Sequence, residues 1–182
     1  TVGMEILRQH ADPIDAIFVP VGGGGLIAGI AAYVKQLTPG TRIIGVQSDE
    51  AASLKAALDA GQRVTLDHVG IFADGAAVRQ VGEEPFRLAQ RYVDEVLVVS
   101  TDEICAAIKD IFEDTRAIAE PAGALALAGL KQYVLRERVK DQELVAIFSG
   151  ANVNFDRLRY VAELAELGLA AAQFLAEVLD LV

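Results

Sequence analysis

A single cysteine, Cys105, is present among the 182 residues. One thiol excludes an internal disulfide framework and a thiolate metal cluster, and it fits a reducing compartment, where its expected role is helix packing. Positive charge is also scarce. With 16 basic against 26 acidic residues the formal charge is -10, so polyanions are repelled, and neither nucleic acid nor an anionic membrane surface is an expected partner. The composition is 53% hydrophobic with a mean hydropathy of +0.35. Even so, every apolar run is broken by charge or glycine well short of the roughly 20 residues that span a bilayer. No basic segment leading into an apolar stretch and a small-residue cleavage site opens the chain, so the expected location is the cytoplasm. Internal repeats, low-complexity tracts and linkers are absent too, which leaves residues 1–168 as one unit and 169–182 as a tail.

Apolar runs bounded by turn residues alternate with longer segments of helical period. This predicts an α/β fold with an open, mostly parallel sheet flanked by helices. Strands are expected at Ala16 to Val21, Arg42 to Gln47, Glu95 to Val99 and Glu143 to Phe148. Helices are expected from about Leu26 to Leu37, around Ala51 to Ala60, from Ser100 to about Glu113, and from Pro121 to about Arg138. Ser100 and Glu103 spell a capping box, and Pro121 suits the first turn of a helix. The first ten residues also have helical period, with Val2, Ile6 and Leu7 on one face. From Leu169 to Val182 the chain is nearly all apolar, with Gln173, Glu177 and Asp180 as a thin polar stripe. That C-terminal apolar helix calls for a partner surface and points to a homo-oligomer.

The sharpest chemical signal is Val21-Gly22-Gly23-Gly24-Gly25-Leu26, placed between a strand and a helix. Glycines there let the backbone take up positive φ and approach a ligand closely, while the free amides of the helix start point outward with the positive end of its dipole. Such a site suits a phosphate dianion. A tight turn alone needs one or two glycines, and four in a row cost conformational entropy. A nucleotide P-loop does not fit, because Leu26-Ile27-Ala28 stands where a lysine and a hydroxyl would hold a terminal phosphate and magnesium. A dinucleotide site remains a rival, since Gly23, Gly25 and Ala28 satisfy a loose G-x-G-x-x-A and Asp49 or Glu50 lies near the end of the next strand.

Four segments taken together carry a family resemblance: Val19-Pro20-Val21-Gly22-Gly23-Gly24-Gly25-Leu26, Phe72-Ala73-Asp74-Gly75, Ala119-Glu120-Pro121-Ala122-Gly123-Ala124 and Ser149-Gly150-Ala151-Asn152-Val153-Asn154. In that order and spacing, from residue 1 to about Gly168, the sequence resembles the biosynthetic threonine dehydratases among the fold-type II pyridoxal-phosphate enzymes. The resemblance implies that Gly22, Gly23, Gly24, Gly25 and Leu26 cradle the phosphate of pyridoxal 5'-phosphate and that Ser149 faces the pyridine nitrogen. It also implies that Glu120 lies near the cofactor ring and that Gly75 adds backbone contacts beside it. The competing structural readings are a helix cap for Ser149 and a solvated charge before a helix for Glu120. The implied reaction converts L-threonine, with L-serine as a second substrate, to a 2-oxo acid and ammonia.

The sequence departs from the family in three places. The Schiff-base lysine, in a motif close to S-x-K-x-R-G-A, is missing, as is the asparagine-containing loop for the cofactor's 3-hydroxyl. Lys35, Lys55, Lys109, Lys131 and Lys140 all lie in other contexts. In the family both elements precede the segment that begins here at Thr1, so the chain is expected to be the C-terminal part of a catalytic region and inactive alone, without an imine-forming amine. Serine racemase-like relatives bind a divalent cation through acids at positions that are Gln47 and Ser53 here, so no metal site is expected. No regulatory domain is recognisable after Gly168, and isoleucine feedback is not expected. The alternatives are a fragment of a dinucleotide-binding oxidoreductase and a non-catalytic homologue that serves only as an assembly partner.

Overall fold

The computed structural model describes residues 2–167; the apolar helix expected over 169–182 lies outside them. Four parallel strands form one sheet in the order β3-β2-β1-β4: β1 Ala16–Pro20, β2 Arg42–Ser48, β3 Glu95–Val99 and β4 Leu144–Ala146. Phe18 sits opposite Ile44 on one side and Ala146 on the other. The helices are α1 Val2–Gln9, α2 Gly25–Leu37, α3 Ser53–Ala60, α4 Glu83–Tyr92, α5 Thr101–Thr115 and α6 Pro121–Glu137, and residues 158–167 are also helical. Among the described residues no helix is long and apolar enough to cross a membrane.

Side chains of a strand alternate between the two faces of its sheet, and each face here has its own core. Ile17 and Val19 of β1 and Ile43 of β2 join Ile27, Ile30 and Val34 of α2. Ala16, Phe18, Ile44 and Val46 join α5 and α6 on the other face. β1 and β2 are buried almost throughout, and β1 and the stretch from Ile43 to Val46 of β2 read as short apolar runs, as strands of a doubly covered parallel sheet do. Cys105 is fully buried on α5. Burial and the nearby Asp102 charge push its thiol up to about 12, which makes it an inert packing residue.

Most of the expected elements are present, with three differences. Helix α4, absent from the expected elements, begins with Glu83-Glu84-Pro85. Pro85 falls in the first turn, where its missing N–H has no helical partner to lose. Strand β4 is three residues long, shorter than the run Glu143 to Phe148. On α1 the buried residue is Gly3, whose absent side chain lets the helix close to within contact of Ile30, whereas Val2 is exposed. The Ser100 and Glu103 capping box is formed, with the Ser100 N–H donating to Glu103 Oε2 at 2.7 Å.

The ends of the sheet differ in character. At the amino ends of β2 and β3, Arg136 and Arg42 both donate to Glu95, Arg136 at 2.6 Å, and Arg42 also donates to the Tyr133 hydroxyl at 2.8 Å. The Arg136 guanidinium, assisted by Arg42, holds the Glu95 carboxyl below its usual range. This polar clamp lies away from the carboxyl ends of the strands, where ligands bind in open α/β sheets.

Close packing of α6 on the sheet depends on Gly129. A Cβ at that position would overlap Val46 Cγ2 and stand 2.8 Å from Cγ1, and Val46 is fully buried and cannot give way. Gly129→Ala gains about 1 kcal/mol of helix propensity but incurs overpacking of about 1–3 kcal/mol or more. A net loss of about 1–2 kcal/mol is expected in urea unfolding with an unchanged slope; a variant more stable than the parent by the full helix-propensity gain would show that α6 stands off the sheet.

Candidate cofactor site

The strand order creates the site. From β1 the chain winds outward through β2 to β3, then returns to place β4 on the other side of β1. Such a reversal parts the connections on either side of β1 and leaves a crevice at the carboxyl ends of β1 and β4. The glycine loop follows β1 and Ser149 follows β4. A cleft of about 290 Å³ opens there, and all eight residues singled out from the sequence line it: Gly22 to Gly25, Leu26, Gly75, Glu120 and Ser149. Pro20, Ala76 and Ala122 complete the lining. Pro20 and Ala122 lie within the motifs and Ala76 just after one, and as apolar residues they carry no chemical signal of their own.

The four glycines have different tasks. Gly24 is buried, adopts φ +87°, and forms the N-cap of α2 with no side chain capping the helix. A Cβ on it would stand 2.9 Å from Pro85 Cβ and 3.0 Å from Val81 Cγ2. Its glycine is therefore required by the protein's own backbone and by packing on α4. Gly22 is similarly tight, with a Cβ meeting Ala76 Cα at 3.2 Å. Gly23 and Gly25 are exposed, and a Cβ on either meets nothing within 4 Å. They are the open part of the loop. Helix α2 has no acidic residue in its first turn, so its positive end and its first N–H groups are not neutralised by their own helix.

The opposite wall is formed by Gly75, Glu120 and Ser149. Gly75 lies in a turn, Asp74–Ala76, with its N–H donating to Asp74 Oδ1 at 3.0 Å. Glu120 precedes α6, and its carboxylate accepts the Asn152 N–H at 3.1 Å. It is thus not simply a solvated charge. Ser149 is exposed and its Oγ lies 3.5 Å from the Ala122 carbonyl oxygen, the outer limit of a hydrogen bond. No helix follows it before the turn at Phe155–Arg157, so Ser149 is not a helix cap. Asn152 was not singled out from the sequence, because its contribution is a backbone amide.

Neither Asp49 nor Glu50 lines the cleft. Asp49 pairs with the Ser48 hydroxyl, and Glu50 packs against Gly70. Gln47 is fully buried, its amide donating to the carbonyls of Val21 and Ala51 and its oxygen accepting the Lys55 N–H at 3.0 Å. Gln47 thus ties β2 to α3 through the Lys55 N–H, while the Ser53 hydroxyl, also buried, has no hydrogen-bond partner among the described residues.

An open parallel sheet with a glycine-rich loop at its topological switch point, and a hydroxyl after the neighbouring strand lining the same cleft, defines an α/β arrangement suited to an anionic ligand. The chain belongs to the family of pyridoxal-phosphate dependent enzymes, whose model matches residues 1–150. Over 170 residues it is 59% identical to the biosynthetic L-threonine dehydratase of Burkholderia multivorans, covering 93% of this chain and 34% of that protein. It is 55% identical over 168 residues to the Escherichia coli enzyme of the same name, covering 92% of this chain and 32% of the other. The chain thus spans about a third of the length of the curated relatives it matches. Among solved structures, processed threonine deaminase isoform 2 from Solanum lycopersicum superposes with a TM-score of 0.89 at 49% identity, covering 91% of this chain and 48% of that one. Serine racemase from Dictyostelium discoideum gives 0.75 at 29% identity, covering 84% and 48%. The resemblance read from four motifs and the α/β fold are borne out.

Proposed function

We propose that this chain forms the phosphate-holding and ring-facing part of the cofactor site of a cytoplasmic, homo-oligomeric threonine dehydratase, which converts L-threonine to 2-oxobutanoate and ammonia in isoleucine biosynthesis. The observation that carries this reading is the convergence of the glycine loop, Gly75, Glu120 and Ser149 on one cleft. Pyridoxal phosphate, when bound, supplies the electron sink for breaking the substrate's α-proton and β-hydroxyl bonds. Gly23 and Gly25 leave room for the phosphate against the start of α2, whose dipole favours the dianion. Ser149 offers the ring nitrogen a neutral hydroxyl. A hydroxyl does not hold a proton on that nitrogen as a carboxylate would, and this favours elimination over transamination. Exposed Ile71 and Phe155 are apolar surface suited to association.

No lysine lines the cleft. Lys35 pairs with Asp94, Lys55 with Asp59, Lys109 with Glu113 and Lys131 with Asp110. The amine that anchors the cofactor and takes the substrate's α-proton therefore has to come from outside these residues. Titrated with pyridoxal phosphate, the chain alone is expected to bind weakly and, after borohydride, to yield no adduct at any one lysine by peptide mass analysis. A stoichiometric adduct at one of its five lysines would contradict the reading.

A further inference from the structure

Ser149 sets the polarity of the ring-facing wall, yet little of its own chemistry holds it there. Its hydroxyl is at the outer limit of contact with Ala122, and β4 has already ended at Ala146. The loop that carries it is held instead by Glu120. An N-cap side chain ordinarily accepts from its own helix, but Glu120 makes no such bond at α6. Pro121 at the start of α6 has no N–H to satisfy, which leaves the carboxylate available. It turns to the loop after β4, where Oε2 accepts the Asn152 N–H at 3.1 Å. The Glu120 N–H in turn donates to the Gly150 carbonyl at 3.1 Å. Two hydrogen bonds thus bracket residues 150–152 against a single residue.

Three glycines make the bracket possible. A Cβ at Gly150 would overlap Glu120 Oε1 and lie 2.8 Å from its carboxyl carbon. One at Gly123 would overlap the Gly150 carbonyl oxygen, and one at Gly75 would stand 3.3 Å from Glu120 Oε1. Gly75 and Gly150 therefore approach one carboxylate because neither has a side chain there, and Gly123 leaves room for the Gly150 backbone.

Resting on the cofactor reading above, we propose that Glu120 is a positioning residue: through Asn152 and Gly150 it fixes the backbone that aims the Ser149 hydroxyl, and it works as a hydrogen-bond acceptor and not by its charge on the ring. Glutamine keeps an acceptor oxygen at the same reach, and alanine does not. The two variants therefore separate the alternatives.

The test is amide hydrogen exchange of the ligand-free chain by NMR, followed by titration with pyridoxal phosphate and, separately, inorganic phosphate. Removing a charge-assisted hydrogen bond corresponds to about a tenfold effect or more. Glu120→Ala is expected to speed Asn152 exchange and weaken pyridoxal phosphate binding by at least about tenfold, whereas Glu120→Gln stays within about threefold of the parent in both. Inorganic phosphate, which needs only the glycine loop, loses affinity in neither. Gly150→Ala keeps the charge but drives a methyl into the carboxylate, and should reproduce the exchange of the alanine variant. Unchanged Asn152 exchange in Glu120→Ala overturns the proposal, as does a Gln variant that loses as much cofactor affinity as Ala with Asn152 still protected. Failure of the unmodified chain to bind pyridoxal phosphate overturns the cofactor reading, and is told apart from failure of the bracket because exchange is read without ligand.

Discussion

Gly25→Val is expected to remove phosphate and pyridoxal phosphate binding while leaving the chain as stable as before. Gly25 opens α2 and is exposed, with nothing within 4 Å of an added Cβ. A side chain there strains no backbone, and leaving glycine improves helix propensity by several tenths of a kcal/mol. Its branched methyl groups would, however, stand where the phosphate oxygens approach the first amides of the helix. Losing two charge-assisted hydrogen bonds of about 1.5 kcal/mol or more each corresponds to roughly a hundredfold in affinity. Gly24→Val should behave in the opposite order. At φ +87°, against Pro85 and Val81, it carries backbone strain and overpacking of about 2–4 kcal/mol, so the fold itself weakens. Thermal unfolding and phosphate titration of the two variants together separate the roles. Equal loss of stability in both, or full binding by Gly25→Val, would remove Gly25 from the cradle.

That contrast marks a limit of the sequence. Four identical letters at a strand-to-helix junction announce an anion site, because the physics of close backbone approach leaves few other reasons for them. Nothing in the letters says that Gly24 answers to α4 while Gly23 and Gly25 face open space. The distinction depends on Pro85, some 60 residues along, in a helix whose own start is masked by Glu83-Glu84-Pro85. Strand β1 and the middle of β2 were legible because burial on both faces makes them short apolar runs, and α5 announced itself through Ser100 and Glu103. Strand β4 was overestimated. Ile147 and Phe148 continue its apolar run, but pairing with β1 ends at Phe18 opposite Ala146.

The candidate site was legible as residues and not as geometry. Motif resemblance brought Ser149, Glu120 and Gly75 onto one list, and the strand order explains why they share a cleft with the glycine loop. What Glu120 does is set by Asn152, 32 residues away, through a backbone amide that every residue but proline has. No side-chain pattern can encode such a partner. Gln47 and Ser53 show the converse. Their neutrality read as the loss of a metal site, and Gln47 is seen to be occupied with three hydrogen bonds of its own.

The second large effect concerns catalysis: on the proposed reading the chain supplies a phosphate cradle and a ring-nitrogen partner, and no lysine lines the cleft. Alone it should release no 2-oxobutanoate from L-threonine. Without a nucleophile to anchor the cofactor and a base for the α-proton, most of the acceleration is absent, and general-base loss by itself corresponds to about 100-fold to 10,000-fold. A segment bearing the family's lysine, fused ahead of Thr1 or added as a separate chain, should restore the reaction. In that restored enzyme Ser149→Asp should slow elimination by holding a proton on the ring nitrogen, an effect larger than that of a surface substitution. The most direct measurement is therefore the rate of 2-oxobutanoate release from L-threonine by this chain with saturating pyridoxal phosphate, with and without the lysine-bearing segment. The account predicts no enzyme-like turnover without the segment and turnover with it; turnover by the chain alone, or none when the segment is correctly folded and present, would contradict it.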